Sequence, residues 1–370
     1  MKIVGITVWA LDLPLVRPYT LSGGRLAFER LDSTIVRLET DAGLAGWGEG
    51  CPWGSTYLPA FARGIRAGVE ELAPVVLGLD PRPTDAVYRA MDLALPGHPY
   101  VKSPIDMACW DLAAQSAGLP LCDLLGGRTG GSVRLHSSIP SGTPAELMRE
   151  IDLARADGYT MHSAKVGADV DADIERMRFL DAQMSRDEVV TFDVNRAWLP
   201  AEAIAALNAT SELQRVIEQP CEHLEQHLHV RRHVTQPLAI DESLQSLGDI
   251  LRIVETGACE VVGLKIGRVG GLTVARRIRD VCIEAGIQMN IEDTGGTTLQ
   301  ATAAVHLAHA TPEPFRRATW MCVEHLTNDP IEGGARNGGG WSVAPELPGL
   351  GAAPDVPALG DPVADYRHPG

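Results

Sequence analysis

The stretches Thr160–Gly167, "TMHSAKVG", and Val261–Gly271, "VVGLKIGRVGG", each carry a lysine at the end of a short β-rich run. A lysine seldom goes into a protein interior unless it is paired or has a chemical task. Working outward, six more runs have the same look: "VRLHSSI" (133–139), "VVTFDVN" (189–195), "RVIEQP" (215–220), "PLAIDES" (237–243), "QMNIED" (288–293) and "ATWMCVE" (318–324). A polar residue stands near the end of each middle run: Lys165, Asp193, Glu218, Asp241, Lys265 and Glu292, spaced 23 to 28 residues apart. One strand and one crossover helix take about that length, and eight such units close into a (β/α)8 barrel.

Upstream the pattern is different. "KIVGITVWAL" (2–11), "STIVRLET" (33–40) and "TDAGLAGWGEG" (40–50) alternate like strands, and helical patterns follow at 57–75, 83–94 and 103–117. The glycines of "LLGGR" (124–128) mark a boundary. The expected organisation is α/β: an α+β capping domain over 1–128, a (β/α)8-type barrel over 129–340, and a Gly- and Pro-rich segment over 341–370 that packs back on the cap.

Bulk properties exclude several classes. A formal charge of −16 over 370 residues disfavours nucleic acid as a partner. No apolar run approaches the ~18 residues of a membrane span, and "MKIVGITVWALDLPL" lacks a signal peptide's apolar core. Seven scattered cysteines without a CxxC pair fit a reducing compartment, so a cytoplasmic protein is expected.

In a parallel barrel the chemistry sits at the C-terminal strand ends. With the runs numbered in order, Lys165 ends the second and Lys265 the sixth, so the two face each other across the mouth. Asp193, Glu218 and Asp241 fall on the arc between them. Three carboxylates with open positions suit a hard octahedral cation such as Mg²⁺ rather than zinc, with Asn195 on the same side as Asp193 in support. A divalent ion on a substrate carboxylate stabilises the enediolate left by loss of the α-proton. Its charge also lowers the pKa of a nearby lysine, so that one of Lys165 and Lys265 is expected neutral, as a base.

The ordered motifs "SAKVG", "DVN", "EQP", "DES" and "GLKIGRVGG" resemble the enolase superfamily, muconate-lactonizing-enzyme subgroup, over nearly the whole chain. The resemblance implies Asp193, Glu218 and Asp241 as Mg²⁺ ligands, Lys165 and Lys265 as paired bases, a small-molecule carboxylate substrate and a homo-oligomer. One departure matters. Many members have Lys-x-Lys where this chain has Ser163-Ala164-Lys165, which argues against copying muconate or succinylbenzoate chemistry.

Substrate contacts are expected from Tyr19, Ser22, Trp53 and Tyr57 of the cap, and from Ser163, Asn195, Glu292, Asp293, Thr294 and Trp320 of the barrel. Acidic groups beside an indole suit a cationic nitrogen. "GHPYVKSPIDMACWDL" and "EDTGGTTLQATAAVHLAHA" look like the branch acting on proline derivatives. That likeness implies dehydration of cis-3-hydroxy-L-proline to Δ1-pyrroline-2-carboxylate, with 2-epimerisation of a proline betaine or another amino-acid derivative as the alternative. Ser163 and the Glu292/Asp293 pair favour the former, since both can serve a secondary ammonium with N–H groups.

Two rival classes compete. A barrel lysine can form a Schiff base without any metal, and a binding scaffold would tolerate loss of residues that are all present here. His223 and His227, four apart in "EHLEQHLHVRRH", are expected on a solvated helix face. "GRVGG" lacks dinucleotide-site spacing and is expected to form a tight turn beside the site.

Overall fold

The computed structural model describes residues 1–369. The N-terminal third builds an antiparallel sheet from β1 (Ile3–Leu21), β2 (Leu26–Thr40) and β3 (Ala45–Gly50), with Ala364–Arg367 near the C-terminus pairing on the outer edge of β1. Three helices follow: α1 (Ala62–Val76), α2 (Thr84–Ala94) and α3 (Pro99–Ala117). Helix α1 starts five residues later than its pattern predicts, because Tyr57–Phe61 forms a loop reaching toward the barrel. Helix α3 starts four residues earlier, where Pro99 takes the first helical position and loses no needed N–H. It is buried continuously from Tyr100 to Ala114. Gly48 makes that approach possible: a Cβ there would lie 1.9 Å from the Pro104 carbonyl oxygen.

Eight parallel strands form the second sheet in chain order: Ser137–Ile139, Met161–Lys165, Val189–Asp193, Val216–Glu218, Leu238–Ile240, Val261–Lys265, Gln288–Glu292 and Arg316–Ala318. A parallel bridge between Leu135 and Thr319 joins the last to the first, with the His136 N–H donating to the Thr319 carbonyl. The sheet therefore closes on itself as a barrel, and the register sets Lys165 beside Asp193, Asp193 beside Glu218, and Lys265 beside Glu292.

Two expectations need correction. The eighth strand is Arg316–Ala318 rather than "ATWMCVE": only its first residue is in the strand, Cys322–His325 is a 3-10 turn, and Trp320 sits on the loop over the mouth. The apolar pattern passed over Arg316, whose guanidinium is satisfied by the carbonyls of Thr129, Ala308 and Ser132. His227 is not on a solvated face. It is fully buried in the helix Leu224–Arg231, with Nε2 against the Ala258 carbonyl at 3.1 Å, and burial pushes its imidazole down to about 4. His223 stands outside that helix, at its N-cap, so the two rings are not neighbours on one face.

Buried carboxylates join cap to barrel. Glu49 on β3 accepts from the Thr297 N–H and hydroxyl at the start of the helix Thr298–His309. Asp106 on α3 accepts from the Thr273 N–H (2.9 Å) and hydroxyl (2.6 Å) at the start of the helix Leu272–Ala285. Each places an acceptor at the positive end of a barrel helix. The last glycine of "GRVGG" makes room for this: Gly271 has φ +121°, and a Cβ there would lie 2.4 Å from the Asp106 carboxylate.

Candidate active site

Strand alternation sends residues i and i+2 to one side, and at the mouth of the barrel that side faces a cavity of about 450 Å³ counting its opening to solvent. That is room for a small amino-acid-like molecule. Lys165, Ser163, Asp193, Asn195, Glu218, Lys265, Glu292, Thr294 and Trp320 line it from the barrel, and Tyr19, Trp53 and Tyr57 from the cap. Asp241 lies one layer behind, fully buried beneath Lys265. Asp293 is turned away from the cavity: its carboxylate accepts the Gly267 and Thr294 N–H groups. Ser22 likewise serves structure, donating to the Asn195 carbonyl at 2.7 Å.

The two lysines sit on opposite sides of the carboxylate arc, and each is paired. Lys165 Nζ donates to Asp193 Oδ2 at 2.5 Å, and Lys265 Nζ to Asp241 Oδ2 at 2.8 Å. Burial works against both ammonium charges, but the adjacent carboxylates outweigh it, so both lysines are held above their ordinary values. The pairing favours the ammonium form of each lysine for as long as Asp193 and Asp241 serve it alone. Asp241 is clamped from two directions, with Arg268 Nη1 2.8 Å from Oδ1. Arg268 is itself fixed by donating to the Leu244 and Gly263 carbonyls. Burial opposes the charge of Asp241, yet Arg268 and Lys265 prevail and keep it well below the usual carboxylate range.

Glu218 is different. Burial, together with Asp193, Asp241 and Glu292 nearby, pushes its carboxyl well above the ordinary value. Among the described residues it has no ion pair, and no three acidic, histidine or cysteine side chains gather at metal-binding distances. Lys165 and Lys265 hold Asp193 and Asp241 instead. The donor set still fits a hard divalent cation: hard anionic oxygens on three adjacent strand ends, one of them raised by the repulsion of its neighbours.

The cap contributes an aromatic wall. Tyr19, Trp53 and Trp320 pack with ring centroids 5.0 to 5.7 Å apart. Trp53 reaches it from a left-handed backbone (φ 60°), a conformation that costs a non-glycine residue energy. Tyr57 donates to Glu242 at 3.1 Å, and its carbonyl accepts from Arg196, whose guanidinium also lies over its ring. Asn195 Nδ2 donates to the same Glu242 oxygen, and the Asn195 N–H to Asp193.

Sequence reasoning missed three lining residues: Leu21, His136 and Ser138. The last two follow the same alternation along "LHSSI" that exposes Ser163 and Lys165, and that signal was available. His136 Nε2 lies 3.3 Å from Glu292 Oε2. Burial raises the Glu292 carboxyl, but Lys265 and His136 outweigh it and hold it below its ordinary value, as a carboxylate.

A barrel mouth with opposed lysines flanking three carboxylates under an α+β cap defines a class, and comparison with known families agrees. Residues 5–126 match the mandelate racemase / muconate lactonizing enzyme N-terminal domain, and residues 146–358 the enolase C-terminal domain-like family. The chain belongs to the enolase superfamily. Among characterised relatives, it is 41% identical to a cis-3-hydroxy-L-proline dehydratase of Roseibium aggregatum, over 99% of this chain and 100% of that one. It is 32% identical to a hydrophobic dipeptide epimerase of Enterococcus faecalis, over 90% and 94%. A crystal structure of an enolase-superfamily member from Roseovarius nubinhibens, complexed with magnesium, superposes with a TM-score of 0.95 at 54% identity, covering 99% of this chain and 100% of that one.

Proposed function

We propose that this enzyme dehydrates cis-3-hydroxy-L-proline to Δ1-pyrroline-2-carboxylate, using Lys165 and Lys265 as an acid/base pair and Asp193, Glu218 and Asp241 as ligands of Mg²⁺. The observation that carries this reading is the pairing of two buried lysines with three strand-end carboxylates, in a chain related over its full length to a dehydratase of that substrate.

The substrate's hydroxyl and carboxylate lie on one face of the ring and its α-hydrogen on the other. Lysines on opposite sides of the cavity suit this geometry: one removes the α-proton, and the other protonates the departing hydroxyl. The enamine left behind tautomerises to the imine product. A cation held by the three carboxylates would supply positive charge to a substrate carboxylate as negative charge develops there. Asp193 and Asp241, once engaged in that way, would no longer hold Lys165 and Lys265 in the ammonium form, which gives one lysine the chance to act as a base. Glu292, kept anionic beside the aromatic wall, offers an acceptor to the ring ammonium. The seven cysteines are all free and buried, which suits a reducing compartment, and on that ground we assign the reaction to the cytoplasm.

The aromatic wall of Tyr19, Trp53 and Trp320 favours one second reading, 2-epimerisation of a methylated proline, whose ammonium has no N–H to donate. A substrate panel followed by mass spectrometry separates the two. Loss of water from cis-3-hydroxy-L-proline, abolished by EDTA and restored by Mg²⁺, is expected. Turnover of N,N-dimethylated prolines alone would replace this reading with the epimerase, and EDTA-insensitive activity trapped by borohydride would replace it with a Schiff-base enzyme.

A further inference from the structure

The two lysines keep different company. On the Lys165 side, Tyr19 and Ser138 share a hydrogen bond at 2.6 Å between their hydroxyls. Ser138 is the register partner of Ser163, and Ser163 stands two residues before Lys165, on the same strand face. All four line the cavity, and Tyr19, Ser138 and Lys165 also share a narrower recess leading outward between cap and barrel. On the Lys265 side fewer hydroxyls line the cavity, and one of them is bonded to a carboxylate. Tyr57 donates to Glu242 at 3.1 Å, and Thr294 is bonded to Tyr100 at 2.6 Å. The other groups around Lys265 are charged: the carboxylates Asp241 and Glu292 and the Arg268 guanidinium. Three hydroxyls lining the cavity thus gather at Lys165, two of them bonded to each other, whereas Lys265 stands mainly among charged groups.

We infer that Tyr19, Ser138 and Ser163 form the seat of the substrate's 3-hydroxyl, so that Lys165 protonates the leaving group and Lys265 removes the α-proton. This deepens the dehydratase reading and rests on it. Lys265, as the free amine, takes the proton from Cα; the C–H electron pair moves into the carboxylate as an enediolate and then returns to form the C2–C3 double bond. The C3–O bond breaks with its pair on oxygen, which receives a proton from the Lys165 ammonium and leaves as water. Protonation at C3 with loss of the N–H proton to solvent then converts the enamine to the imine. Tyr19 reaches this seat from β1 of the cap, so closure of the cap over the barrel completes the leaving-group site.

The test is proton NMR in D2O with Mg²⁺ and cis-3-hydroxy-L-proline, following elimination and α-deuterium wash-in of recovered substrate separately. Tyr19→Phe and Ser138→Ala, both conservative, are each expected to slow elimination about ten-fold more than they slow wash-in, the loss of one hydrogen bond to a developing charge. Lys165→Ala is expected to retain wash-in while losing elimination, and Lys265→Ala to lose both. Wash-in surviving in Lys265→Ala but not in Lys165→Ala overturns the assignment. So does equal slowing of both processes, or of neither, in the two hydroxyl variants. A wild-type protein that forms no Δ1-pyrroline-2-carboxylate fails at the substrate reading itself, and the wild-type arm alone reveals it.

Discussion

Glu218 holds the clearest tension between stability and function. Its carboxyl is raised far above 4.5 by burial and by the neighbouring acids. A carboxyl whose folded pKa is raised gives stability that is complete below the unfolded value and is lost as pH rises through the folded one. Glu218→Gln removes that penalty. In metal-free protein near neutral pH, the variant is expected to melt higher than wild type by differential scanning calorimetry, while its Mg²⁺ affinity by titration calorimetry falls. A variant that melts lower and binds Mg²⁺ unchanged would contradict both halves. Lys265→Ala is expected to cost about 10²- to 10⁴-fold in kcat, the range of one acid/base group, with an unaltered circular dichroism spectrum. At this scale the strand-end lysines and acids were legible because a charge closing an apolar alternating run is conspicuous. His136 and Ser138 share the inward alternation of their strand but were passed over, since a histidine and a serine there are less conspicuous than a charge. The inward clamp of Arg268 on Asp241 was hidden because Arg268 lies past the strand end, in the one-turn helix Ile266–Val269, with two residues between it and Lys265.

The elements show how far pattern carries. Seven barrel strands stand where short β-rich runs meet a regular spacing, and the lysines and carboxylates stand at their ends. The eighth slipped because its polar residue Arg316 is satisfied by the Thr129 and Ser132 carbonyls, distant in sequence, while the apolar residues that looked like a strand form the loop holding Trp320. The same blindness to tertiary partners put His227 on the surface. The glycines of "GRVGG" read as a turn, but their requirement comes from the cap. Gly271→Ala would combine a left-handed backbone with a methyl group 2.4 Å from Asp106, and is expected to destabilise by about 2 kcal/mol or more. Chemical denaturation measures this, and a loss under about 0.5 kcal/mol would mean that Asp106 yields freely.

At the scale of the whole molecule, cap and barrel must stay in one register for Tyr19, Trp53 and Tyr57 to meet the strand ends. Glu49 is one of the buried links. Burial raises its carboxyl to about 7 from 4.5, against the pull of its Ser33 and Thr297 hydrogen bonds. With the folded value raised, its contribution is full below about 4.5 and fades as pH climbs toward 7. Thermal melts of Glu49→Gln are therefore expected to show a shallower fall in Tm than wild type between pH 5 and pH 7; parallel curves would show that Glu49 is ionised throughout.

The central claim is abstraction of an α-proton by one lysine and elimination assisted by the other. Its most direct test is a proton NMR time course of the purified protein with Mg²⁺ and cis-3-hydroxy-L-proline in D2O. Disappearance of the α-proton signal together with growth of Δ1-pyrroline-2-carboxylate is the predicted result. An α-proton that persists in the presence of Mg²⁺ and active, folded protein, with no product formed, would contradict it.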